Sequence, residues 1–91
     1  MRQSEASYLA RIAELPCVLC ELLGRETVGV HIHHLRENAG IGRRSAHWLC
    51  MPLCPTCHVG KHGVHGDRQL LRQAKVDEVD LLAATIERLN R

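Results

Sequence analysis

Residues 53–62, "LCPTCHVGKH", place two cysteines and two histidines within ten positions of a 91-residue chain. Cys54-x-x-Cys57 in this stretch repeats the spacing of Cys17-x-x-Cys20, with 33 residues between the pairs. A turn of two intervening residues directs both sulfurs of a pair to one point, so two pairs supply a tetrahedral thiolate site, for which zinc is the default metal. Disulfides and a redox Cys-x-x-Cys are the alternatives. An odd total of five cysteines and the lack of a thioredoxin-like βαβ pattern argue against both. Cys50 lies outside the pairs, and alternation along "HWLCMPL" makes it a small buried hydrophobe rather than a ligand.

All seven histidines fall between positions 31 and 65. His58 and His62 are four apart on a helix expected to begin within the second Cys pair and to end near Gly63, so they project from one face and suit a single ion. A structural ion at Cys54 and Cys57 would pin the first turn of that helix and hold the next in place for a second metal. The third ligand is sought in "HIHH". His31 and His33 share a strand face, His33 and His34 point opposite ways, and spacing alone does not choose among them.

The elements that carry these groups follow from period and punctuation. Ser4 is the expected cap of a first helix with Leu9, Ile12 and Ala13 on one stripe, stopped by Pro16 near Leu15. "VGVHIHHL" alternates Val28, Val30 and Ile32 against Gly29, His31 and His33, which is the pattern of a half-buried strand. "RENAGIGRRSA" reads as a loop and "HWLCMPL" as a second strand, and the two strands form a hairpin. After the turn "GVHGD", Asp67 is the expected cap of a short helix with Leu70, Leu71 and Ala74. Asp77 caps another with Val79, Leu82, Ala83, Ile86 and Leu89 on one stripe, and Val76 and Leu81 stand at the spacing of a hydrophobic staple.

The chain is expected to form one α+β domain over residues 1–91. It comprises an N-terminal helix to residue 16, a knuckle and metal core over 17–65 and C-terminal helices over 66–91. Its core lacks Phe and has only Tyr8 and Trp48 as large rings, so a metal is the expected brace for a small domain. Zinc binding contributes on the order of 10 kcal/mol to folding in such sites. No apolar run suits a membrane span and the N-terminus lacks a secretory apolar centre, so a soluble, cytoplasmic protein is expected. Net charge is +2, yet Arg36 to Lys75 carries +5, against −1 over the first 35 residues and −2 over the last 16. A basic middle that also holds every histidine suits a polyanion such as nucleic acid, with a solvated charged surface as the alternative.

"CVLC", then "HIHHLRENAGIG", then "MPLCPTCHVGKH" resembles the HNH endonucleases of the ββα-metal (His-Me finger) type, with the Cys pairs of their zinc-stapled members. The resemblance runs from Cys17 to about His65 and is closest to small prophage nucleases, including the recombination-enhancement family, which resemble this chain also in "GVHGD". His-His plus His-x-x-x-His is similar to the colicin nucleases. The resemblance implies a ββα-metal core with a four-cysteine knuckle. It implies a catalytic ion on His33, His58 and His62 and His34 as general base, while the shared strand face keeps His31 as an alternative ligand. The middle Asn of the family pattern is absent. His47 is the nearest polar candidate for its role, and Asn38 lies too close to the first strand.

The chemistry so implied is metal-dependent hydrolysis of DNA phosphodiesters in a bacterial host carrying a phage or prophage. Arg36, Arg43, Arg44 and Lys61 would hold the backbone without reading bases. Magnesium or manganese is the usual ion of the family, while three imidazoles also favour zinc or nickel. A recombinase filament is a partner known among the recombination-enhancement relatives. The contrasting reading is a zinc-stabilised nucleic-acid-binding module without chemistry, and a third is a phage structural or adaptor protein dimerising through its last helix.

Overall fold

The computed structural model describes residues 2–27, 29–36 and 46–91. Among them, a two-stranded antiparallel sheet is enclosed by five helices: α1 Gln3–Ala13, α2 Val18–Leu22, β1 His31–His34, β2 Cys50–Leu53, α3 Pro55–His58, α4 Gln69–Ala74 and α5 Glu78–Leu89. Every residue of β2 is buried, because α1, α2 and α5 all pack against it. A strand covered on both faces reads as an unbroken apolar run, which is how "CMPL" reads. The register pairs His31 with Leu53, Ile32 with Pro52, His33 with Met51 and His34 with Cys50, so the strand of histidines lies directly along the most buried strand.

The core is aliphatic and sulfur-rich. Val18, Leu19, Met51, Leu53 and Leu81 are fully buried among the four paired cysteines, and Leu70, Leu71 and Val64 close it from the C-terminal side. Tyr8 and Trp48 pack together at the periphery with centroids 5.0 Å apart. The last helix is tied to the first two, where Arg11 of α1 donates to the Leu89 carbonyl at 3.0 Å and Arg88 pairs with Glu21 of α2.

Several local expectations are corrected. Ser4 lies inside α1, whose N-cap is Arg2 without a side-chain bond. The helix of the second Cys pair stops at His58 instead of reaching Gly63, and residues 59–68 turn back over it. A Cβ at Gly63 would lie 2.4 Å from the Cys57 carbonyl oxygen, so this reversal is open only to glycine. In β1 the apolar residue is not the buried one: Ile32 is half-buried, whereas His33 is buried. Arg68, with φ of 64°, is the N-cap of α4, and Asp67 accepts from the Gln69 N–H at 3.0 Å beside it. Asp77 caps α5 in a reciprocal box with Asp80, as its position suggested.

The buried face of α5 is also shifted. Glu78, Leu81, Leu82 and Thr85 face inward at the i, i+3, i+4, i+7 spacing, while Val79 and Ile86 of the expected stripe are 43% and 44% exposed. Thr85 is accommodated by donating its hydroxyl to the Leu81 carbonyl at 2.8 Å. Leu81→Ala is therefore expected to destabilise the protein by about 2–5 kcal/mol and Ile86→Ala by less than about 1 kcal/mol. Denaturant unfolding of the zinc-loaded proteins measures both, and a larger loss for Ile86→Ala would reverse the assignment of the face.

Candidate metal centres and catalytic histidines

Cys17 and Cys54 are the N-cap residues of α2 and α3, so each Cys pair straddles the first turn of a short helix. Both helices aim their sulfurs at the same buried point, where Cys17, Cys20, Cys54 and Cys57 cluster as unbridged thiols. Cys20 Sγ stands 3.5 Å from Cys54 Sγ and 3.6 Å from Cys57 Sγ. Four sulfurs each about 2.3 Å from one tetrahedral zinc lie roughly 3.8 Å apart, so the cluster fits a structural zinc. The thiols share their protons unequally. Hydrogen bonding from Cys57, with backbone N–H groups, lowers Cys17 to about 5, whereas burial first and the neighbouring sulfurs second raise Cys20 to about 12. Cys57 is also pushed upward, chiefly by its bond to Cys17. One negative charge is tolerated in this dry site and further ones require a cation. Cys50 is separate: buried, raised to about 11 by that burial, its thiol donates to the His47 carbonyl at 3.2 Å.

One residue past Cys57, His58 enters a second cluster. His33, His58 and His65 place one nitrogen each within 4.8 Å of one another. His58 Nε2 is 3.1 Å from His65 Nε2, and His58 Nδ1 is 3.0 Å from His31 Nδ1. Nitrogens about 2.0–2.1 Å from one tetrahedral ion lie roughly 3.4 Å apart, so this trio fits a second metal, with His31 at its edge. The candidate ligand that spacing did not reveal is His65. It arrives because the chain reverses after α3: the His65 N–H donates to the His58 carbonyl at 3.0 Å, stacking one imidazole beside the other. His62 is turned away from this set, with its Nδ1 2.9 Å and 3.1 Å from the two oxygens of Asp67.

Protons in the cluster have a defined order. A guanidinium only donates, so Arg36 Nη1, 2.9 Å from His65 Nδ1, leaves the His65 proton on Nε2, facing His58. His58 then accepts there and donates from Nδ1 to His31. Neutral rings suit this chain. Burial, then repulsion from His33, His65 and His31, lowers His58 to about 4, and burial with repulsion from His33 and Arg36 lowers His65. The bond from Arg36 and an ion on His65 Nε2 exclude each other, since a neutral ring cannot offer both nitrogens as acceptors.

His34 faces away from His33 on β1, and its Nε2 lies 3.1 Å from His47 Nδ1. Arg36 borders a cleft of about 270 Å³ lined also by His33, Val64, Arg68 and Glu78. Lys61 is exposed on the turn after α3. Arg43, Arg44 and Asn38 lie outside the described residues. Glu78, the first residue of α5, accepts from His33 Nε2 at 2.6 Å, from the Arg36 N–H at 3.2 Å and from Arg68 Nη2 at 3.4 Å. In the sequence it is one more acidic residue in a helix's first turn, and no spacing signal ties it to a histidine.

Residues 3–76 match the model of a family described as recombination enhancement, RecA-dependent nuclease. No curated protein and no solved structure matches the chain.

Chelation of the cysteine-bound ion is expected to unfold the protein. Cys57→Ala should lose that ion while Cys50→Ala keeps one zinc, as measured by native mass spectrometry and circular dichroism. The His58 ring contributes a separate pH dependence. Its folded value of about 4 lies below the ordinary 6.5, so the unfolded chain binds the extra proton between them. The contribution to stability is thus present above the ordinary value and lost as pH falls toward the folded one. Between about pH 7 and about pH 5, the protein with only its cysteine site filled should lose more stability than its His58→Gln variant, and parallel losses would reject the assignment.

Proposed function

Because the chain belongs to the family of recombination-enhancement, RecA-dependent nucleases, we propose that it is a metal-dependent HNH-type endonuclease that hydrolyses DNA phosphodiesters. The observation that carries this reading is the convergence of His33, His58 and His65 beside a four-thiol knuckle, with His34 next to His33 in the chain. His33, His58 and His65 would hold the catalytic ion. When bound, such an ion supplies Lewis acidity to a phosphate oxygen and to the leaving 3′ oxygen.

The protein's own groups divide the remaining work. His34 is the general base that takes the proton of the attacking water, a role worth roughly 10²–10⁴-fold. His47 orients it: when His47 Nδ1 accepts the Nε2 proton of His34, the basic pair of that ring is on Nδ1. Arg36 and Lys61, with Arg43 and Arg44, contact the DNA backbone, and such contacts position a strand without reading its sequence. Arg68, on the rim of the cleft, adds a further cation beside His33. The family supports a RecA filament as the partner that presents the DNA.

Nicking of supercoiled plasmid, and cleavage of single-stranded DNA with and without a RecA filament, should be lost at least about 100-fold in His34→Ala with the cysteine-bound zinc retained. His65→Ala should lose cleavage and uptake of a second metal, while His62→Ala retains both. Equal cleavage by His34→Ala and wild type would leave a zinc-stabilised binding module as the reading. Loss on His62→Ala alone would restore the ligand set expected from helical spacing.

A further inference from the structure

Glu78 is a carboxyl that stability does not explain. It is 2% exposed, at the first position of α5, where a leucine of the same face would contribute to the core without desolvating a charge. Three donors on the site side reach it: the His33 ring, the Arg36 N–H and the Arg68 guanidinium. Arg68 holds the left-handed φ of 64° that few non-glycine residues adopt, next to the turn that delivers His65. Glu78 also lies beyond the residues matched by the family model, which end at 76.

We infer that Glu78 is the positioning residue of the histidine centre: its carboxylate holds the His33 proton on Nε2, so that Nδ1 carries the unshared pair available to a metal shared with His58 and His65. The bond of 2.6 Å between two groups that are 3% and 2% exposed fixes the ring plane as well as the tautomer. Metal-bound imidazoles commonly donate their other N–H to a carboxylate, which raises ligand basicity and sets orientation. The same carboxylate draws in the Arg36 backbone and the Arg68 side chain, so the two cations that border the cleft are placed by the group that places the ligand. The capping box of Asp77 and Asp80 fixes the start of α5 and hence the height of Glu78 above the sheet. The last helix is thereby part of the site rather than a support for it.

This inference rests on the metal-centre reading above, and its test separates the two. The ring nitrogens of His33 are observed by long-range ¹H–¹⁵N NMR in wild type, Glu78→Gln and Glu78→Asp, each carrying one zinc in the cysteine site, and a second equivalent of Zn²⁺ is then titrated by calorimetry. Wild type and Glu78→Asp are expected to show His33 with its proton on Nε2. Glu78→Gln, whose amide donates as readily as it accepts, should show a mixture of tautomers and bind the second zinc roughly 10–100-fold more weakly, with its circular dichroism unchanged. A His33 proton on Nδ1 in wild type, or an unchanged ring and an unchanged affinity in Glu78→Gln, overturns the inference. A wild type that takes up no second zinc counts against the metal centre alone, and the His33 tautomer then decides the role of Glu78. Should Glu78→Gln fail to fold, Glu78→Asp decides: a His33 proton displaced to Nδ1 while the carboxylate is kept would reject the role.

Discussion

Four thiols from two distant parts of the chain meet in a space that excludes water, and the rest of the molecule is arranged around that meeting. Cys20 and Cys54 are 34 positions apart yet their sulfurs are 3.5 Å from each other. Without Phe, the interior is built from Leu, Val, Ile and Met, whose burial alone gives a domain of this size little surplus over its conformational entropy. A cation at the thiols would add a term comparable to the whole stability of a small domain. It would also resolve the electrostatic frustration of the cluster, in which Cys17 is driven to ionise while Cys20 and Cys57 are held protonated.

From this anchor, position is handed on over very short distances. Cys57 is a ligand candidate of the first cluster and His58 of the second, so a single turn of helix connects them. The reversal at Gly63 then lays His65 against His58, and the pairing of β1 with β2 brings His33 from the other side. Rigidity at the imidazoles is inherited from the sulfurs and from the buried strand. Each ring also has a hydrogen-bond partner, Glu78 for His33, Arg36 for His65 and His31 for His58, and of these the Arg36 bond must open before His65 can take an ion.

Charge is distributed to the same end. The basic middle of the chain gathers Arg36 and Arg68 at a cleft that also contains the buried carboxyl of Glu78. An anion approaching this cleft meets cations at its rim and the His33 imidazole within, while the carboxyl is shielded by its donors. Burial that depresses the basicity of His58 and His65 keeps those rings unprotonated near neutral pH, the form in which an imidazole binds a metal.

Local rules reach some of this protein and stop short of the rest. The spacing within each Cys pair, the cap at Asp77, the strand character of "VGVHIHHL" and "HWLCMPL" and the concentration of histidines in the basic middle are all visible in the sequence, because each is a local pattern, although the strands themselves are shorter, His31–His34 and Cys50–Leu53. Which histidines converge was decided only by tertiary structure. A helical period assigned His62 to the face of His58, but the glycines at 60 and 63 end the helix first, and the returning chain delivers His65 instead. Likewise Val79 and Ile86 form as good an apolar stripe as Leu81 and Leu82, and only docking against β2 selects the face that carries Glu78 inward. His33 and Glu78 are 45 residues apart, and a contact of that range leaves no periodic trace in either segment.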